Sequence, residues 1–290
     1  MHPAVIEPFT ARDGENLALY GWHADDESDP TDLHGLRGVV VLVHGLGEHA
    51  GRYQHVARKL KERGFAVRAY DQRGHGESGG PRGVLPTATA LLDDLAEVVD
   101  DTRLHFKGLP LILLGHSMGG LVASRFVALN IRPVDGLVMS SPALDAGLGI
   151  FQKLLLAVTI RLAPNLSVIN GLDSSYISHD AKVVKAYRDD RLVHARISPR
   201  LANFIHTAGP ATVAAAARWR VPTLLMYAGA DRLVNPAGSR AFAMNAAASS
   251  VVKPGLVTAK CFDGMYHELF NELKAEPVFE ALKAWLNSRF

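Results

Sequence analysis

Leu111-Ile112-Leu113-Leu114-Gly115-His116-Ser117-Met118-Gly119-Gly120 is the stretch that decides the fold. Four aliphatic residues in a row suit a short strand buried on both faces, and Met118 to Leu129 continues as a helical run. Between them Ser117 stands in the pattern G-x-S-x-G. A strand, a tight turn and a helix would project the serine oxygen above a sheet, while the flanking glycines relieve crowding. With 26 Gly and 15 Ser in 290 residues, chance alone yields about 0.12 such matches, so context has to decide. Gly76-Glu77-Ser78-Gly79-Gly80 also matches, but Pro81, Gly83 and Pro86 follow it and no helix can start there. Ser117 is the candidate nucleophile and Ser78 a loop serine.

Outward from this stretch, strands and helices alternate. Gly38 to Val43 and Phe65 to Tyr70 are apolar and β-branched enough for buried strands, as is Gly136 to Met139. Arg52 to Arg63 and Thr87 to Phe106 have helical spacing. Before them, Glu7 to Ala24 suits a hairpin around Asp13-Gly14-Glu15-Asn16, and Asp25 to Gly35 is a polar loop. From Ala143 to about Val213 there are apolar helical patterns and no clear buried strand. Alternation returns at Thr223 to Tyr227, Pro236 to Ala248, Leu256 to Phe262 and Val278 to Ser288. This order predicts an α/β fold with a mostly parallel sheet flanked by helices. The core would comprise residues 1–142 and 214–290, with a helical cap, 143–213, inserted between them.

Composition excludes several classes. Lys and Arg number 31 against 29 Asp and Glu, a net charge of +2, which argues against a nucleic-acid partner. Hydrophobic residues at 48% and charged residues at 21% exclude wholesale disorder. The single cysteine, Cys261, rules out an internal disulfide framework and a multi-cysteine zinc site, and fits a cytoplasmic protein. On the last strand it is expected as a buried small hydrophobe. Met1 to Thr10 has no basic region followed by an apolar one, so no secretory signal is expected. The most apolar window, Leu148 to Pro164, is shorter than the ~20 residues that cross a bilayer.

A serine hydroxyl becomes a nucleophile only when a base takes its proton, and that base needs a third group to orient it. Asp231, in Tyr227-Ala228-Gly229-Ala230-Asp231, lies just past one late strand, and His267, in Asp263-Gly264-Met265-Tyr266-His267, just past the last. Their order after Ser117 matches Ser…Asp…His chemistry. Asp145 is an alternative acid and Asp263 suits a turn; His105, His179 and His194 look like surface or helix positions. The developing oxyanion needs fixed donors. The backbone N–H groups of Leu46, in Val43-His44-Gly45-Leu46-Gly47, and of Met118 are the candidates, a plain tight turn being the other reading of His44-Gly45. Gly45, Gly47 and Gly51 with Asp71 suggest a dinucleotide site, but the spacing is not G-x-G-x-x-G. His267-Glu268-Leu269-Phe270-Asn271 lacks the second histidine of H-E-x-x-H, so no metal site is expected there.

Several segments together resemble the monoacylglycerol lipase and lysophospholipase branch of the α/β-hydrolase superfamily. They are His44 to Tyr53, Asp71 to Gly80, Gly115 to Gly120, Ser141 to Leu144, Gly229 to Val234 and Tyr266 to Glu268. The resemblance implies Ser117, Asp231 and His267 as catalytic triad, and Leu46 and Met118 as oxyanion donors. It further implies that Glu48 and Arg52 lie near the glycerol end of the substrate. The chain departs from vertebrate monoglyceride lipases at Phe270, where those have a further histidine. The expected reaction is hydrolysis of monoacylglycerol to fatty acid and glycerol, through an acyl-enzyme and without metal or cofactor. Lysophospholipase, general carboxylesterase, thioesterase or peptidase activity are the neighbouring readings. A non-catalytic receptor of the same fold is the one from another class.

The expected substrate is a small amphipathic ester, and the cap carries what remains. Phe151, Leu154, Leu155, Leu156, Val158, Ile160 and Leu162 make a strongly apolar segment. One reading packs it on the core; the other makes it a lid, with Leu154 and Val158 lining the acyl path and transient contact with a membrane or micelle surface. Ile197, Leu201 and Phe204 are a second candidate wall. A cytoplasmic protein, peripheral at membranes through this cap, is the expected setting.

Overall fold

Among the described residues, the eight strands of the central sheet follow the alternation in the sequence closely. The computed structural model describes residues 5–22, 33, 35–249 and 251–290, so most of the polar loop expected at Asp25 to Gly35 lies outside the described residues. β1 (Val5–Thr10) and β2 (Asn16–Trp22) form an antiparallel hairpin. Six strands then run parallel: β3 (Gly38–Val43), β4 (Phe65–Tyr70), β5 (Leu111–His116), β6 (Gly136–Ser140), β9 (Thr223–Ala228) and β10 (Val257–Phe262). Their order with the hairpin is β1-β2-β4-β3-β5-β6-β9-β10, and β2 meets β4 antiparallel.

Period-two alternation splits each buried strand between two cores. Val39, Val41 and Val43 of β3 and Leu111 and Leu113 of β5 face one side. There they meet α2 (Ala90–His105), α3 (Met118–Ala128) and α7 (Ala237–Ala248), through Leu95, Val98, Leu121, Phe126 and Phe242. Val40, Leu42, Ile112 and Leu114 face the other side, against α1 (Gln54–Lys61) and α8 (Glu276–Arg289), through Val56, Leu60, Leu282 and Trp285. Helices on both faces explain why these strands are apolar throughout.

The differences from the expected boundaries have local causes. β5 runs two residues further than its aliphatic run, because Gly115 and His116 still pair with Met139 and Ser140. α1 is entered through a 3₁₀ turn, Ala50–Tyr53, and α2 starts three residues later than expected.

Between β6 and β9 the chain leaves the sheet. It forms α4 (Ile150–Leu162), α5 (Ala181–Asp189), α6 (Pro199–Ala215) and a two-stranded ribbon of β7 (Val168–Ile169) with β8 (Arg196–Ile197). The ribbon has no signature in the sequence, since each strand is two residues long. α6 starts at a Ser198 cap with Pro199 in its first turn, and buries Leu201, Phe204, Ile205 and Ala208 in the core on the α3 side of the sheet. Among the described residues no helix is long and apolar enough to cross a membrane.

β3 pairs with β4 on one side and β5 on the other, so the strand order reverses there. In open parallel sheets the crevice beyond the carboxyl ends at such a point is where ligands bind. His44 to Glu48 and Ser117 leave the sheet at this crevice, and the chain after β9 and β10 carries Asp231 and His267 to the same edge.

Candidate active site

Ser117 joins β5 to α3 in a conformation few side chains adopt, φ 54° and ψ −120°. The neighbouring glycines make that turn feasible. A Cβ on Gly119 would drive into the Val43 carbonyl, and one on Gly115 into the Gly119 backbone. The turn is pinned by the Ser117 N–H to Ser140 O (2.9 Å) and by the Ala143 and Leu121 N–H groups, both donating to Ser117 O at 3.0 Å.

His267 Nε2 lies 2.8 Å from Ser117 Oγ, and its Nδ1 lies 2.7 Å from Asp231 Oδ2. The other Asp231 oxygen accepts the N–H groups of Leu233 (2.9 Å) and Val234 (3.1 Å), so the carboxylate cannot rotate away. Burial disfavours the Asp231 charge, but His267 and these hydrogen bonds outweigh it and hold the carboxyl below its usual range. Burial likewise disfavours a charged His267. Asp231 first, then Glu268 and Glu48, reverse this, and the imidazole lies above its ordinary value of 6.5. With Nδ1–H given to Asp231, Nε2 is free to take the serine proton.

The alternative residues are occupied elsewhere. Asp145 accepts from Gly147 N and Asn235 Nδ2. Ser78 is buried, donating to Asp71 O and accepting from Ala18 N. Asp71, which a dinucleotide site would need for a ribose, is fully engaged by Tyr20, Ala50 and Glu77. Cys261 is half-buried rather than core, because β10 is an edge strand; burial, then Asp263, which takes its S–H, push the thiol up.

The loop after β3 is held from beneath. His44 Nε2 accepts the Gln72 N–H (2.9 Å), which assigns its proton to Nδ1 and lets that atom donate to Gly45 O (2.7 Å). Glu48 is buried, and its Oε1 accepts from Gly45 N (2.6 Å) and Tyr53 O–H (2.5 Å). Burial opposes the Glu48 charge, but Arg52 leads the groups that hold it down to about 2. Arg52 pairs with Glu48 and also donates in bidentate fashion to Glu268, both bonds at 2.8 Å. One guanidinium thereby ties the loop of Leu46 to the residue after His267. Among the described residues, neither Leu46 N–H nor Met118 N–H is given to a protein acceptor.

Two cavities meet at Ser117. The more polar one, of about 300 Å³, is lined by Glu48, His116, Tyr187, Arg188, His194 and Glu268 among others. A narrower one of about 140 Å³ is lined by Met118, Ala143, Leu148, Ile197, Ala202, Ile205 and Val234. Leu46, Ser117, Asn170, Leu172 and Leu233 line both.

The expected substrate residues therefore separate. Glu48 and Ile197 line these cavities, whereas Arg52 sits behind Glu48 and Glu268. Leu201 is in the core, fully buried: on α6 it shares a stripe with Phe204 and Ala208, while Ala202 and Ile205 border the narrow cavity. Leu154 (65% exposed) and Val158 (46% exposed) are not brought to either cavity. α4 buries only Leu156, leaves Ile160 half-buried, and turns Ile150, Phe151, Leu154, Leu155, Val158 and Leu162 to solvent.

Tyr187, Arg188 and His194 come from a segment between β6 and β9 that carries no motif, and His194, expected at an ordinary surface or helix position, instead lines the cavity. His194 is a cap-to-core contact, its N–H on Gly47 O (2.8 Å) and its ring on Gly74 O (3.0 Å). His116 was read only as an unspecified position in G-x-S-x-G. Its ring packs 4.7 Å from that of His267, and burial, then His267, push it down to about 4, so it stays neutral at pH 7.

A sheet of this topology, with its nucleophile turn at the switch point and a buried histidine–aspartate pair behind the serine, places the protein among the serine hydrolases of the α/β-hydrolase fold. Residues 34–274 match the family described as serine aminopeptidase, S33, and the chain belongs to that family. It is 36% identical over 255 residues to a monoacylglycerol lipase of Mycolicibacterium smegmatis, covering 87% of this chain and 89% of the relative. It is 32% identical over 251 residues to a phospholipase of Bacillus subtilis, covering 85% and 94%. The crystal structure of a Paleococcus ferrophilus monoacylglycerol lipase superposes with a TM-score of 0.79 at 32% identity, covering all of both chains.

Proposed function

We propose that the protein is a serine carboxylester hydrolase that cleaves monoacylglycerols to fatty acid and glycerol. The observation that carries this reading is the position of Ser117 where an apolar arm meets a polar cavity. An ester bound there has its acyl chain along Ile197, Ile205 and Val234, and its alcohol towards Glu48, Tyr187 and Glu268. The likeness to two monoacylglycerol lipases supports the choice of substrate.

Ser117 Oγ attacks the ester carbonyl as His267 Nε2 takes its proton. Asp231 holds the tautomer and stabilises the imidazolium. The Leu46 and Met118 N–H groups receive the oxyanion, each worth roughly two to three orders of magnitude in kcat. His267 then protonates the departing alcohol, and water attacks the acyl-enzyme by the same route reversed. Glu48 and Arg52 act by holding the oxyanion loop and the His267 turn in register.

The apolar face of α4 is read as a contact for lipid surfaces, where such substrates gather, and the single cysteine fits a cytoplasmic setting. Lysophospholipids are the second reading, supported by the likeness to the phospholipase. Steady-state kinetics with monoacylglycerols, lysophospholipids and p-nitrophenyl esters of equal chain length test this. The highest kcat/KM is expected for the monoacylglycerol; a single turnover that leaves a trapped acyl group would point instead to a receptor.

A further inference from the structure

We infer that Arg188 forms an anion subsite at the mouth of the polar cavity, which admits glycerol esters carrying a phosphate at the end remote from the acyl group. The inference rests on ester hydrolysis at Ser117. Among the described residues lining that cavity, Arg188 alone is an Arg or Lys. It lies near the C-terminal end of α5, and it also lines an adjoining surface groove with Lys185, so the cavity opens at this residue.

The guanidinium is oriented but not consumed. Its Nε donates to Ser174 Oγ (2.9 Å), and Ser174 lines the same cavity. Among the described residues its only ion pair is to Asp173 at 3.8 Å, with both side chains more than half exposed, a geometry that contributes little. The terminal N–H groups make no hydrogen bond among the described residues, Nη2 lying 3.8 Å from Asp173 Oδ1, and their planar fork matches phosphate oxygens.

The floor of the cavity has the opposite character. Arg52 is fully engaged with Glu48 and Glu268, leaving two carboxylates to one guanidinium. That floor suits hydroxyl groups and repels an anion. A phosphate can be held only further out, where Arg188 is. A glycerol ester with a terminal phosphate has its parts in this order: acyl chain in the apolar arm, ester at Ser117, glycerol over the floor, phosphate at the mouth.

The test compares 1-octanoylglycerol with 1-octanoylglycerol 3-phosphate, both below their micelle concentrations so that no lipid surface takes part. The two share acyl chain and backbone and differ only in the phosphate. Wild-type protein is expected to hydrolyse both. Arg188→Gln should raise KM for the phosphate ester about tenfold with kcat unchanged, and leave the neutral ester within twofold. Arg188→Lys, which keeps the charge and loses the fork, should recover part of the KM. The subsite is overturned if Arg188→Gln changes both esters equally or neither, or if wild-type protein cleaves only the neutral one. Failure of both esters, with Ser117 unlabelled by a fluorophosphonate, would instead overturn the ester-hydrolase reading.

Discussion

His267 carries the sharpest residue-scale expectation. The imidazole must be neutral to take the serine proton, and its pKa lies above 6.5 because Asp231 outweighs burial. Activity is therefore present above this raised pKa and lost as pH falls through it. In kcat/KM against pH the acid limb should have its midpoint above 6.5. Asp231→Asn removes the largest raising group and the tautomer anchor. The midpoint should move down, and kcat should fall by about four orders of magnitude. A midpoint that stays put in Asp231→Asn would separate this aspartate from the histidine. The nearest other titratable groups facing His267 are His116, neutral at these pH values, and the carboxylates Glu48 and Glu268, both paired with Arg52.

At the scale of elements, α6 shows where a sequence pattern stops being informative. Ile197, Leu201 and Phe204 are all apolar and close in sequence, and nothing in their identity says which face meets the core. Position along the chain decides it. Leu201 and Phe204, on α6, are buried in the core on the α3 side, whereas Ile197, on β8 ahead of the helix, borders the narrow cavity with Ala202; Ile205 reaches both the core and the cavity. Leu201→Ala should therefore cost about 2–5 kcal/mol in denaturant unfolding and leave kcat/KM per folded molecule nearly unchanged. Ile197→Phe should leave stability within about 1 kcal/mol while shifting preference to shorter acyl chains. The reverse pattern would exchange their roles. The strand–turn–helix around Ser117 was legible because its constraints are local: an aliphatic run, and two glycines that backbone crowding demands. Asp231 and His267 were legible because parallel strands deliver their following loops to one edge. The cap side of the polar cavity was not legible, since Tyr187 and Arg188 reach it only through the placement of α5, which no short-range pattern encodes. α4 was ambiguous for a related reason: it is apolar on most sides, so its period could not separate a packed helix from an exposed one.

The whole molecule is a sheet carrying Ser117, and an insertion between β6 and β9 whose helix α4 is unusually apolar for a surface. Phe151 is 84% exposed and Leu155 64% exposed. Burying two such side chains in a lipid interface is worth a few kcal/mol, about 1.5–3 each when complete. The double substitution Phe151→Ser, Leu155→Ser should weaken co-sedimentation with phosphatidylcholine vesicles by at least about tenfold and leave hydrolysis of soluble p-nitrophenyl acetate unchanged. Equal loss of both would mean that α4 supports the site itself. The central claim, that Ser117 performs ester hydrolysis on monoacylglycerol, is tested most directly by fatty-acid release from 1-monoacylglycerol at matched concentrations of folded wild-type, Ser117→Ala and Ser78→Ala protein. Wild-type and Ser78→Ala should turn over continuously, and Ser117→Ala should be slower by about four to six orders of magnitude. Release by Ser117→Ala within tenfold of wild type, or none by wild type, would contradict the account.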